Sequence, residues 1–165
     1  MKIFIIAALT ADGFIAKNAA HTPMEWTSKA DKLFFSQRTK QAGVVVFGQN
    51  TYETIGKPLP ERLNIVYSRD KTYEGVEVTQ KEPRELLQDL ETRGYHEVAI
   101  CGGATIYTMF MQAGVVDTLY LTIEPVLFGK GMTLFNKELD AKLQLVSMEK
   151  LGEHAVLLEY KVINS

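Results

Sequence analysis

Five short apolar runs recur along the chain, at residues 3–9, 44–47, 63–67, 98–101 and 119–123. Apolar side chains fall on odd and even positions alike, so neither face of the predicted strands suits water. Strands of this kind lie inside a parallel sheet with helices on both sides. Between them the period changes. Ser28-Lys29-Ala30-Asp31 has the spacing of a capping box, and Leu33, Phe34 and Phe35 follow as the apolar face of a helix reaching about Lys40. Pro83 suits the first turn of another helix, whose stripe is Leu86, Leu87 and Leu90 and which Gly94 closes. A short helix over 105–113 carries Ile106, Met109 and Phe110. The tail differs: residues 143–150 and 155–163 alternate loosely and meet near Gly152-Glu153, predicting a β-hairpin. Strands alternating with helices and ending in a hairpin predict an α/β fold, its sheet mostly parallel with an antiparallel edge. The polar stretch 17–23 follows a central strand, which makes it either a site loop or a plain surface loop.

The chain has 165 residues, room for one domain, and no repeat or linker divides it, so a single domain over 1–165 is expected. With 46% hydrophobic and 23% charged residues, a disordered tail, a collagen-like rod and a coiled coil are excluded. A net charge of −2 gives no electrostatic reason for a nucleic-acid or anionic-membrane partner. One cysteine, Cys101, excludes an internal disulfide and a zinc site built from several thiolates. A cytoplasmic setting is expected, because the apolar start MKIFIIAAL is far too short to span a bilayer and no cleavage motif follows it. His21, His96 and His154 share no metal-ligand spacing, so no metal is expected, and no nucleophile–base arrangement stands out.

Five segments carry candidate chemistry. Cys101-Gly102-Gly103-Ala104 ends a strand and opens a helix. It is either a cradle where backbone amides meet a phosphate or a plain turn needing unusual φ. Phe47-Gly48-Gln49-Asn50-Thr51 is a second such junction, and the two together would frame a cleft for an extended diphosphate. Ser68-Arg69 is either a terminal-phosphate clamp or a solvated turn. Asp31 is either a first-turn acid favoured by the helix dipole or a lone carboxylate in an apolar cleft beside Trp26, Phe34 and Phe35, suited to a protonated heterocycle. Arg62, after Pro58-Leu59-Pro60, can present its guanidinium to a ligand carboxylate.

Taken in order, these segments resemble the dihydrofolate reductase family. IIAALTADGFIA is similar to its first strand and loop start, and Trp26 with Asp31 five residues on matches its tryptophan–acid spacing. VVVFGQNTYETIGKPLPERLNIVYSR is similar nearly position by position, and ICGGATIY and LYLTIEP match later motifs. The resemblance implies a three-layer sandwich around an eight-stranded, mixed, mostly parallel sheet with a C-terminal antiparallel hairpin. It implies a small-molecule substrate, dihydrofolate, reduced by NADPH through hydride transfer to C6 and protonation of N5, with a monomer favoured over a homodimer. It makes Asp31 the carboxylate that binds the pterin amino and N3 positions, backed by Thr122, with Trp26 holding an ordered water. Phe35, Ile55 and Leu59 wall the rings, Cys101 stands in for an aliphatic wall residue, and Arg62 pairs with the α-carboxylate of the glutamate tail. Ala8 and Ile15 touch pterin and nicotinamide. The cofactor set adds Ala7, Gly48, Gln49, Thr51, Ser68, Arg69, Gly102, Gly103, Ala104, Thr105, Ile106 and Tyr107. A cis Gly102–Gly103 peptide is implied too.

Two departures matter. Gln49 stands where the family commonly has a basic residue for the cofactor 2′-phosphate, with Arg69 as the compensating candidate. PVLFGKGMTLF replaces an acidic Gly-Asp-Thr segment and looks like the related pyrimidine reductase of riboflavin synthesis. Reduction of a phosphorylated aminopyrimidine and a non-catalytic nucleotide-binding module therefore stand as alternatives.

Overall fold

Apolar side chains on both faces of a strand demand cover on both, and β1 (Lys2–Thr10) finds it. The structure is a computed structural model and describes residues 1–163. Its eight-stranded sheet holds β1 between β6 (Glu97–Ile100) and β7 (Thr118–Glu124), both parallel to it. Beyond β6 lie β3 (Val44–Gly48), β4 (Leu63–Tyr67) and β5 (Glu77–Thr79), all parallel. Beyond β7 the direction reverses. The hairpin of β9 (Lys142–Leu151) and β10 (Ala155–Ile163) adds two antiparallel strands, with β9 outermost. The fold is thus the mixed, mostly parallel α/β sheet that the runs predict, with the hairpin in its predicted place.

Alternate residues of the central strands feed two cores. Ile3, Ile5, Val44 and Val46 pack with Leu86 and Leu90 of α3 (Pro83–Thr92) and Phe110 of α4 (Ala104–Gln112). Phe4, Ile6, Val45 and Phe47 face the other way, toward Ala42 of α1 (Lys29–Ala42) and Tyr52 of α2 (Gln49–Ile55).

Two expectations about α1 need correction. Leu33 is exposed, whereas Phe34 and Phe35 do pack against the core, Phe34 edge-on to the Tyr120 ring. The buried positions of α1 are Asp31, Arg38, Thr39 and Ala42, so polar ties dock this helix more than an apolar seam. Arg38 meets Glu97 at 2.6 Å, and its guanidinium lies 4.2 Å above the Phe4 ring. The capping box is half formed. The Ser28 hydroxyl accepts from the Asp31 N–H at 3.2 Å, but the Ser28 N–H donates to Glu124 Oε1 at 3.0 Å instead of to Asp31.

A small second sheet was not legible in the pattern: β2 (Phe14–Ala16) pairs with β8 (Met132–Thr133). Asp12 ties this corner together, accepting from the Thr10 hydroxyl at 2.6 Å and the Gly129 N–H at 2.7 Å. Gly131 brings the two backbones into contact, because a Cβ there would run into the Ala16 carbonyl. Gly131→Ala should therefore push β8 off β2 and cost about 1–3 kcal/mol, measured by denaturant titration. An unchanged midpoint would show that the corner yields freely.

Candidate functional site

The carboxyl ends of β3, β4 and β6 and the middle of β1 open onto one cavity of about 1250 Å³, where parallel sheets usually bind ligands. That exceeds the ~300–1,000 Å³ of an ordinary ligand pocket and gives room for two molecules side by side. All the predicted site residues line it except Trp26 and Thr122.

At the inner end α1 carries Asp31 into the cavity, with Phe35 one turn further on. Burial pushes the Asp31 carboxyl above the usual carboxylate range. The Thr122 hydroxyl opposes this by hydrogen bonding, the Glu124 carboxylate adds to it, and the Lys32 ammonium opposes it weakly. Thr122, fully buried on β7, thus touches the site only through Asp31. Trp26 sits behind the wall, its ring 5.2 Å from Phe128 and 6.5 Å from His21, and its Nε1–H is buried with no partner among the described residues. Cys101 is a buried wall residue whose thiol burial pushes far above its ordinary range, so it is inert.

The proline turn is held from inside. Asn64, buried on β4, accepts from the Leu59 N–H at 2.8 Å and donates to the carbonyls of Leu59 and Arg62 at 2.9 Å each. The Arg62 Nε–H donates to the Pro60 carbonyl at 2.8 Å, and one terminal nitrogen donates to the Thr39 hydroxyl at 2.8 Å. The guanidinium is thereby fixed at the cavity edge. Lys32, Ser36 and Lys40, spaced four apart on α1, line the same edge, a basic strip not singled out in the sequence.

The outer half is built from the two glycine junctions. Gly48 N–H donates to the Gly102 carbonyl at 2.7 Å, and the Gly102–Gly103 peptide is cis. A Cβ at Gly48 would stand 3.0 Å from Ile106 Cγ1, and one at Gly103 would stand 3.1 Å from Thr51 Oγ1. Glycine at both positions lets the starts of α2 and α4 stand side by side. Neither start has a side-chain cap, so their first N–H groups are open to the cavity. Tyr107, one turn into α4, donates its hydroxyl to the Ile6 carbonyl at 2.9 Å. The Ser68 hydroxyl donates to Gln49 Oε1 at 2.7 Å, with Arg69 exposed beside them and Lys81 on the same wall.

Residues 18, 19 and 21–24 of the early polar loop also line the cavity, so it is a site loop. Its turn is closed by a capping box, Thr22 with Glu25, and by the Lys17 N–H donating to His21 Nδ1 at 3.1 Å. Opposite it stand Met132 and Thr133 of β8 and Asn136, whose amide donates to the Thr105 hydroxyl at 2.9 Å. Sequence reasoning marked the segment holding Met132 and Thr133 as a departure but gave neither them nor Asn136 a place in the site. Among the described residues there is no group of side chains placed to hold a metal ion and no helix long and apolar enough to cross a membrane.

The dihydrofolate reductase family profile matches residues 2–159. Dihydrofolate reductase of Haemophilus influenzae is 34% identical over 122 residues, covering 74% of this chain and 71% of that protein. Dihydrofolate reductase of Enterococcus faecalis, solved as a complex with NADP(H) and RAB-propyl, superposes with a TM-score of 0.74 at 26% identity, covering 99% of this chain and 97% of that one. A putative riboflavin biosynthesis protein from Shewanella sp. PV-4 superposes with a TM-score of 0.82 at 19% identity, covering 99% and 100%, a likeness of fold alone. With the profile spanning nearly the whole chain, the protein belongs to the dihydrofolate reductase family.

Proposed function

We propose that this protein reduces 7,8-dihydrofolate to 5,6,7,8-tetrahydrofolate with NADPH. The observation that carries the reading is Asp31, a buried carboxyl in a cavity whose lining includes the apolar Ile6, Ala8, Phe35 and Ile55. Such a group binds a flat, nitrogen-rich ring edge through two parallel charge-assisted hydrogen bonds, which burial strengthens.

The residues fit the cofactor. Two uncapped helix starts, brought together by Gly48 and Gly103, offer N–H groups to a diphosphate. Ser68, Gln49 and Arg69 would meet the adenosine end, with Arg69 and Lys81 taking the 2′-phosphate in place of a basic residue at 49. Ala7, Ile15 and Tyr107 would border the nicotinamide. Bound NADPH supplies a hydride, which C6 of the substrate accepts while N5 takes a proton. Asp31 holds the pterin amino and N3 positions, and its negative charge makes N5 more basic. The orphaned Trp26 N–H requires an acceptor, and an ordered water between it and the site fits that need and the proton's route. Phe35, Ile55 and Leu59 exclude bulk water, and Arg62 takes the glutamate α-carboxylate. No protein nucleophile is required, because catalysis rests on positioning.

A second reading is favoured by Gly131, Met132 and Thr133 of the riboflavin-type segment, which line the cavity. Lys32, Lys40 and Arg62 would then meet a substrate phosphate. NADPH oxidation followed by absorbance, with dihydrofolate against the phosphorylated aminopyrimidine, separates the two. Turnover of the first alone supports our reading, and turnover of the second alone overturns it.

Asp31→Asn should lower turnover about 10²–10⁴-fold with NADPH affinity nearly unchanged, measured by stopped-flow and fluorescence quenching. Equal loss of both would make Asp31 a structural cap. The same variant should be more stable than wild type at neutral pH. A carboxyl whose folded pKa lies above its ordinary 3.8 favours the folded state most below that value, and the benefit is lost as pH rises through the raised pKa. The two melting curves should converge in acid; a variant no more stable at neutral pH would show that burying the ionised carboxyl costs nothing. Arg62→Leu should raise the KM for dihydrofolate about 10–100-fold without affecting the cofactor. Asn64→Ala, leaving buried groups unpaired, should cost about 2–4 kcal/mol of stability and weaken dihydrofolate by moving Arg62. Unchanged KM in both variants would remove the turn from the site.

A further inference from the structure

Glu124 lies at the end of β7, 2% exposed, and the proposed chemistry does not use it. Its Oε1 accepts two hydrogen bonds from Ser28, from the N–H at 3.0 Å and from the hydroxyl at 2.7 Å. The same hydroxyl accepts from the Asp31 N–H at 3.2 Å. A continuous chain therefore runs from the Glu124 carboxylate through the Ser28 cap to the backbone of Asp31. Thr122, two residues earlier on β7, acts on the Asp31 carboxyl from the same strand, its hydroxyl favouring the ionised form. One strand thus bears on Asp31 twice, on its backbone through Ser28 and on its carboxyl through Thr122.

A surface cap needs no partner of this kind, because a serine satisfies the first turn alone. Burying a carboxylate to hold a serine costs free energy that only the exact placement of the helix start returns. We propose that Glu124 is a positioning residue for the active site: through Ser28 it locks the first turn of α1 so that the Asp31 carboxyl meets the substrate ring. The charged or titratable groups facing Asp31 are Glu124 from β7, Lys32 from α1 and Tyr107 from α4. Glu124 is the one anionic neighbour among them, and removing its charge leaves Lys32 to favour the ionised form. The catalytic part of this inference rests on the dihydrofolate reading; the coupling of Glu124 to Asp31 does not.

Three variants test it. Glu124→Gln keeps an oxygen to accept from Ser28 but removes the charge. Glu124→Leu removes both, and Ser28→Ala cuts the chain without altering β7. In the unliganded protein, with the Asp31 carboxyl carbon followed by NMR, Glu124→Gln should move the Asp31 titration to lower pH, a readout needing no substrate. With dihydrofolate, the acid limb of the pH profile of kcat/KM should shift the same way. Glu124→Leu and Ser28→Ala should each lower kcat/KM about 10–100-fold, with NADPH affinity within about twofold, as expected for a misplaced group. A purely structural role would lower the melting temperature and both ligand affinities together and leave the Asp31 titration in place, and that result overturns the proposal. So does an unshifted titration in Glu124→Gln, or unchanged kcat/KM in Ser28→Ala. If wild type turns over no dihydrofolate, the functional reading fails while the NMR shift still decides the coupling.

Discussion

A carboxyl taken out of water loses hydration that an apolar wall cannot return, so a fold that buries one must bring polar partners to it from several directions. Asp31 meets this demand from two elements. Its amide is held by the hydroxyl of Ser28, the cap of α1, and its carboxyl is favoured in the ionised form by the Thr122 hydroxyl on β7. β7 in turn is held in register, Thr122 beside Ala8 and Glu124 beside Thr10, by parallel pairing with the buried central strand β1. The position of the acid is therefore set by the sheet, although the acid itself rides on a helix.

The same sheet explains why the second half of the cleft lies where it does. In a parallel sheet the strands end on one edge, and each crossover helix starts there with its positive end. β3 and β6 are neighbours, so the helices following them, α2 and α4, begin side by side. The hydrogen bond from Gly48 to the Gly102 carbonyl and the two close approaches at Gly48 and Gly103 leave no room for side chains between these starts. An acid-lined inner end and an amide-lined outer end then share one cavity, a division that suits a cationic ring edge and an anionic ligand meeting in the middle.

Much of this was legible in the chain because it depends on local chemistry. Bare apolar runs can only be central strands, and glycines at strand–helix junctions announce close approach. Asp31 stood out through the resemblance, because an acid five residues after a tryptophan matches the dihydrofolate reductase pattern; its own position in a first helical turn left two readings open. What was not legible depends on contacts distant in sequence. Glu124 reads as an unremarkable strand end until Ser28, 96 residues away, is brought against it. Leu33 looked like part of an inward face, yet it is exposed, and the fully buried side of α1 is chosen by Arg38 reaching Glu97 and Thr39 receiving Arg62. Trp26 was read into the cleft, whereas it stacks on His21 and meets Phe128 edge to face one layer back.

The way α1 is docked bears on how precisely the site is held. A helix seated by an apolar stripe can slide or roll by a fraction of a turn at little cost, since dispersion contacts are individually weak and non-directional. Hydrogen bonds weaken steeply as they bend away from linear, so they fix orientation as well as distance. α1 is pinned by directional contacts along its length: Ser28 to Glu124 at its start, and toward its end Arg38 to Glu97 with Arg62 reaching Ser36 and Thr39 on either side of it. The Arg62 contacts couple the two ends of the proposed substrate, because the guanidinium that would meet its carboxylate is bonded to the helix that carries Asp31. A shift of α1 would therefore misplace both binding groups at once, and the polar buried face of this helix gives up some packing energy to keep their separation constant.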